Sequence, residues 1–492
     1  MVTGGVLPHD EVAGVQTILP ADSAILPKGI YKLFLLGGPL MVITTTLNGV
    51  FNDVRYPITQ ATADGWLPKF FAKENRFGIP TRIYIYTLVI VLIPITLDDK
   101  FIDYVREDLP ENYDKILDKV TIFDLLTMQA GSAACANNVY FTALKEDWEK
   151  TWLGEKRIAT DVGKAFYYDS GCSYTLSKIV SKVMGKTCIN LLQERVFSKI
   201  GIDHVDWLNS PEGYNTGGWG MYLTARQISK LGQLFLHEGK WNGEQIIPAD
   251  WVREMGLTRI AKPGCEHKVL NGYGYHFHTG EKLYAAEGAF EQLLICFREL
   301  PIMIGITSGT NCEFVPDICQ KYIYRALEAN IGSFDEAALT EKVASLHLPF
   351  AGGESASDDK EDSLFGRWLL LDKNPREIRR FRFDRENGQM IRIKFELADS
   401  TVRTAWAGYK RWIKNDLFTD YTKRLHCLSY AFSSGVLAIA DCMINTSYRE
   451  EYTFDFSGAT VVCGWKPNVT YLDGNDNRKR VFMESTIAYH EQ

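Results

Sequence analysis

The residues best suited to chemistry stand together at Phe166–Ser170, FYYDS. A tyrosine followed two positions later by a serine can put a phenol and a hydroxyl into one cleft. There Tyr168 would shuttle a proton and Ser170 would bind a substrate carbonyl. The same pattern ahead of an apolar-periodic stretch also describes a packing tyrosine and a helix N-cap, so by itself the tripeptide leaves both readings open. His276 and His278 alternate on a strand-like run, but no third ligand lies at a metal-like spacing. The ten cysteines contain no Cys-x-x-Cys pair and read as ordinary buried thiols. No metal or cofactor is expected.

These residues need helices to hold them, and the pattern supplies several. Thr121 with Asp124 forms a partial capping box ahead of IFDLL, and Gly131 lies past the end. Tyr174 to Met184 puts Leu176, Ile179, Val180 and Val183 on one face, with Gly185 as the stop. Thr224 and Gln227 make a second capping box, for a helix that ends near Gly239. Strand-like runs follow at Tyr273 to His278, Gln292 to Phe297 and Ile302 to Thr307. Helices first and a strand group after them predict an α+β domain.

The chain has 492 residues, 46% of them apolar and 23% charged, with 54 basic against 61 acidic side chains and a net charge of −7. That composition is globular, and it argues against a nucleic-acid partner. Apolar residues of the first hundred positions are bunched into runs. Ile30 to Phe51 is long enough to cross a bilayer, and Ile83 to Leu97 is a shorter second candidate. Basic residues between them (Arg55, Lys69, Lys73, Arg76, Arg82) would keep that loop in the cytoplasm and send everything after Leu97 to the other side. Membrane contact through 30–51 and 83–97 and an extracytoplasmic remainder are therefore expected. No cleavable signal peptide is apparent.

The stretch from Gly37 to Ile95, with DGWLPKFFAKENRFGIP at Asp64–Pro80 as its specific part, resembles an internal segment of an amino-acid/polyamine/organocation permease. Two helices cannot build a transporter's midplane site, so transport is not implied. From Leu97 to Asn330 the order of LDDKFIDYVRE, TIFDLLTMQAG, FYYDSGCSYTLSKIVSKVMGK, the GGWGMYLTARQISKLGQLFLHEGKWNGEQIIPADW block, NGYGYHF and AAEGAFEQ resembles the serine beta-lactamase and penicillin-binding-protein family. The resemblance implies an acyl-transfer hydrolase acting on a β-lactam, a peptide or an ester held in a cleft. Tyr168 would assist the general base and Ser170 would contact substrate. For the third family element, Ala286-Glu287-Gly288 is the preferred counterpart, which makes Glu287 and Gly288 substrate-binding. His278-Thr279-Gly280 also fits the letters but reads as a hairpin turn.

One departure matters most. The family's nucleophile is the serine of Ser-x-x-Lys upstream of the LDDKF block, and in this chain permease-like sequence occupies that place. Only Ser357-Asp358-Asp359-Lys360 fits the pattern, in an acidic Gly/Ser-rich stretch far downstream. The hydrolase domain is thus read as incomplete on its N-terminal side and impaired, the alternatives being a non-catalytic membrane-tethered binding module or a fusion of unrelated fragments. Loss of the N-terminal elements would leave a sheet edge exposed.

The expected organisation is a permease-like segment at 1–96, a beta-lactamase-like domain at 97–332, a linker at 333–362 and a lipocalin-like antiparallel barrel or sandwich at 363–492. The last rests on the Asn387-Gly388 hairpin signal, on Ile391, Ile393, Phe395 and Leu397 alternating with polar residues, and on Trp368, Trp406, Trp412 and Trp465.

Overall fold

A computed structural model describes residues 95–132, 147–158, 161–262, 269–311, 314–328, 335–374, 377–419, 422–469 and 483–487. The chain divides between Thr96 and Leu97 into two units. Apart from 95–97, both apolar runs read as membrane helices and the whole permease-like stretch up to Pro94 lie outside the described residues. Among the described residues no helix is long and apolar enough to cross a membrane.

The central part is built on capped helices, one six-stranded sheet and two small two-stranded ones. Helix α1 (Ile122–Leu126) carries the expected Thr121–Asp124 capping box. It stops well before Gly131, because Thr127 Oγ1 donates to the Phe123 carbonyl and Met128 turns left-handed. Helix α2 (Trp148–Leu153) leads to α3 (Ser170–Met184), which starts four residues earlier than the periodicity of its apolar side chains indicates. Asp169 is its N-cap and Gly185, at φ 64°, its C-cap.

The packed face of α3 also differs from the expected one. Val180 and Val183 are exposed, the latter at 49%, whereas Ser173, Ser177 and Ser181 are buried. Small hydroxyls let neighbouring backbone approach: Ser177 Oγ donates to the Asn215 carbonyl at 2.9 Å, and Ser181 Oγ bonds back to the Ser177 carbonyl. Helix α4 (Ala225–Leu236) has the Thr224–Gln227 capping box as read.

Six strands form an antiparallel meander in chain order: β1 (Ile260–Ala261), β2 (Gly272–Tyr273), β3 (His278–Thr279), β4 (Leu283–Gly288), β5 (Gln292–Phe297) and β6 (Met303–Ile306). The run read as one strand at Tyr273–His278 is two strand ends around a turn, with His276 at φ 58°. Helix α4 covers β5 and β6 so closely that a Cβ at Gly232 would stand 2.6 Å from Leu294 Cδ1. The outer strands of the sheet are β1 and β6.

The C-terminal part is a ten-stranded sheet curled into a near-closed barrel: β7 (Trp368–Leu370), β8 (Ile378–Asn387), β9 (Met390–Leu397), β10 (Val402–Tyr409), β11 (Ile413–Thr419), β12 (Thr422–Ser433), β13 (Val436–Met443), β14 (Arg449–Asp455), β15 (Val461–Pro467) and β16 (Met483–Ile487). All pairings are antiparallel except β10 with β12. The turn joining β8 and β9 is Gly388-Gln389, one place later than the Asn-Gly signal, with Asn387 Oδ1 accepting from the Gln389 amide.

Rings from β8 and β14 close the barrel core, Phe383 and Phe454 lying 4.7 Å apart edge to face. Such pairs add to plain burial. None of the four tryptophans belongs to that buried core, and Trp406 is exposed. The acidic stretch read as a linker lies along the barrel: Phe432 exchanges backbone hydrogen bonds with Glu354 and Ser355, and Gly435 donates to Asp358.

Glu149, at the start of α2, is fully buried and accepts from Thr175 Oγ1 at 3.0 Å. Desolvation pushes its carboxyl up to about 7 in spite of Lys178 nearby. An unfolded glutamate titrates near 4.3, so the native state holds the proton more tightly. This contribution is greatest below pH ~4 and is lost as pH rises to about 7. Glu149→Gln should remove the slope: measured by urea unfolding, the variant gains up to about 3 kcal/mol on the wild type between pH 5 and pH 8.

Candidate functional site

Tyr168, Asp169 and Ser170 are positioned by a buried polar knot. Asp169 is in extended backbone (φ −146°, ψ 110°), which turns its side chain away from those of Tyr168 and Ser170. Its Oδ1 accepts from the Gly171 amide at 2.8 Å, capping α3, and its Oδ2 accepts from Trp152 Nε1 at 2.8 Å and from Ser132 Oγ. Arg157 Nη1 lies 3.6 Å from Oδ2 and donates to Ser132 Oγ at 2.7 Å, while Nη2 donates to the Trp152 carbonyl at 2.7 Å. The guanidinium also sits over the Trp152 ring, 4.3 Å from its centroid. A Cβ at Gly171 would stand 2.1 Å from Trp152 Nε1, so α3 meets this indole only because residue 171 has no side chain.

The knot leaves Tyr168 38% exposed at the surface and Ser170 buried at the first turn of α3. Tyr168 faces His278, ring centroids 6.5 Å apart. His278 is not in a hairpin turn as read but on β3, whose partner strand β4 carries Ala286-Glu287-Gly288, with His278 opposite Ala285. That register brings His278 Nδ1 within 3.2 Å of Glu287 Oε2. Lys262, just after β1, places its Nζ 2.6 Å from the same Nδ1.

One ring nitrogen cannot accept from an ammonium and donate to a carboxylate at once. Whether Nδ1 carries a proton therefore selects which of the two it engages. Beneath lies Tyr273, its phenol held well above its ordinary value by desolvation, with Tyr168, Cys172 and Glu287 acting in the same direction.

Of the residues expected at the site, Tyr168 and Glu287 thus come together around His278. Gly288 lies exposed at the end of β4, where it pairs with Gln292. Behind it, Phe290 and Glu291 are both left-handed, at φ 62° and 65°. Gln292 Nε2 staples this strained loop, donating to the Phe290 carbonyl at 3.0 Å, the Ser308 carbonyl at 2.6 Å and Ser447 Oγ of the barrel at 3.0 Å. The pairing of His278 with Glu287 and with Lys262 was missed: His278 stood out in the His276/His278 alternation and in His278-Thr279-Gly280, and nothing pointed to Lys262. His276 does not join them. Its amide donates to the Leu126 carbonyl, and burial pulls its ring down to about 4. Ser357 and Lys360 are both exposed on the strap along the barrel.

The α+β framework with a polar cluster beside a capped helix can be set against known proteins. Residues 93–314 fit the family model described as Beta-lactamase. No curated protein matches the sequence.

Among solved structures, the chain is similar to a candidate 6-aminohexanoate-dimer hydrolase from Bacillus anthracis, with 19% identity over 48% of this chain and 67% of that one and a TM-score of 0.37. It is also similar to the octameric penicillin-binding protein homologue from Pyrococcus abyssi, with 16% identity over 72% of this chain and 80% of that one and a TM-score of 0.33. These likenesses are too distant to add to the family match.

Asp169→Ala would leave the buried Arg157 guanidinium with only the partly exposed Glu155 carboxylate, 3.9 Å from Nη1, and removing the buried partner costs up to about 3–5 kcal/mol. Chemical denaturation should show that loss. Asp169→Asn, which keeps an acceptor for the Gly171 amide, should lose less.

Proposed function

We propose that the central domain is a beta-lactamase-related hydrolase whose cleft binds an acyl compound (a β-lactam, a peptide or an ester) but whose acylation step is impaired. The carrying observation is the position of Ser357 and Lys360, the sole Ser-x-x-Lys of the sequence. Both are solvent-exposed on the barrel strap and outside any shared helix, so the lysine has no geometry for activating the hydroxyl. Loss of an activated serine lowers turnover on the order of 10⁶-fold.

The groups around Tyr168 are suited to binding. The phenol and Lys262 can donate to a substrate carbonyl or carboxylate, and His278 can hold or release a proton beside them. The strained Ala289–Glu291 loop gives the cleft a rim supported by the barrel. Membrane attachment through 30–51 and 83–97, with the remainder extracytoplasmic, belongs to the same proposal.

The test is intact-mass analysis of the folded full chain after incubation with a fluorophosphonate and with a penicillin, beside saturation-transfer NMR of the same penicillin. The expected result is no covalent adduct, with reversible penicillin contact that Tyr168→Phe and His278→Ala weaken. An adduct on a mapped serine would overturn the impairment. Neither adduct nor contact would favour a fusion of unrelated fragments over a binding module.

A further inference from the structure

The barrel interior is not filled. A cavity of about 390 Å³ lies inside it, walled by apolar side chains that include Phe381, Ile393, Leu417, Leu428 and Ile439. Ligand sites usually measure about 300–1,000 Å³ and combine an apolar wall with a few placed polar groups. At about 30 Å³ per water, this one offers room for roughly thirteen small heavy atoms.

The polar groups are unusual for a structural core. His426 is 2% exposed, and its Nδ1 is engaged by the Asp441 carboxylate, 2.9 Å from Oδ1 and 2.8 Å from Oδ2. Its other nitrogen, Nε2, is buried and has no hydrogen-bond partner among the described residues. The Nε of Arg403, also in the cavity wall, is likewise buried without a partner. A buried polar atom left unpaired keeps its desolvation cost uncompensated, and two in one cavity wall are a feature that a ligand would relieve.

Their chemistry limits what that ligand is. Arg403 Nε–H can only donate, and its guanidinium is permanently cationic. Held by Asp441 at Nδ1, His426 turns Nε2 away from that carboxylate, and with the ring charged Nε2 is a second donor. Two donors with positive character call for an acceptor oxygen, best an anionic one. The remaining charged groups of the wall are acidic: Glu377 and Asp399. Both are exposed, where water screens them, and Asp399 is already held low by hydrogen bonds from Thr401.

We propose that the barrel is a binding site for a small aliphatic monocarboxylate of about ten carbons, its chain against the Phe381–Ile439 wall and its carboxylate toward His426 Nε2 and Arg403 Nε. The site is separate from the Tyr168 cleft and does not rest on how that cleft works.

The test is isothermal titration of the folded full chain with decanoate, decanol and decylamine. Decanoate should bind at least tenfold more tightly than either of the others. Arg403→Met and His426→Gln should each weaken it tenfold or more, and Leu417→Trp should abolish it by filling the space. Arg403 is only half-buried, so its variant tests the site even if the histidine variant fails to fold. No decanoate binding, equal binding of the three compounds, or decanoate binding untouched by Arg403→Met would each overturn the proposal.

Discussion

The central domain depends on one buried ion pair. Asp169 and Arg157 have side chains wholly removed from water, and such a pair is tolerated only when every remaining lone pair and N–H is well served. Here most are: the Gly171 amide, the Trp152 indole and Ser132 serve the aspartate, while the Trp152 carbonyl and Ser132 serve the arginine. The interaction joins α2, the segment after it and the N-terminus of α3. It also fixes an extended residue between Tyr168 and Ser170. The site residues inherit their positions from a neighbour that faces away from them.

A second constraint is the hairpin after β4. Two consecutive left-handed non-glycine residues are costly, and such strain persists only where its surroundings over-determine it. Gln292 does so from the central sheet, and Ser447 and the Tyr448 ring do so from the barrel, the latter 5.9 Å from Phe290. Asn468 Nδ2 adds a bond to the Gly309 carbonyl at 2.8 Å. The barrel thus braces the end of β4 that carries Glu287 and Gly288, in addition to whatever its own interior holds.

The two halves use buried charge differently. In the central knot the ionised groups are almost fully engaged, so they specify a conformation. In the barrel the His426–Asp441 pair is engaged on one side only, and its free nitrogen belongs to a cavity wall. An apolar barrel interior would pack more simply with aliphatic residues there, since burying an imidazole and a carboxylate carries a desolvation cost that packing alone does not return.

Much of the local structure was legible in the residues. The Thr121–Asp124 and Thr224–Gln227 capping boxes, the Gly185 stop and the alternation of Ile391 and Ile393 are settled within a few positions of the chain, where short-range sterics and hydrogen bonds dominate. So was the order of motifs that marks residues 93–314. The buried face of α3 was not, because its inward residues are serines matched to approaching backbone and not to an apolar stripe. Nor was the pairing of His278 with Glu287 and Lys262: a two-residue strand has no period to read, and its register is set by neighbours across the sheet. The cavity and its unpaired nitrogens exist only because strands far apart in sequence curl to face one another. The sequence by itself determined the two capping boxes and the Gly185 stop, which short-range contacts settle; the tertiary structure alone decided which charges lost their water, and with that where chemistry and binding can occur.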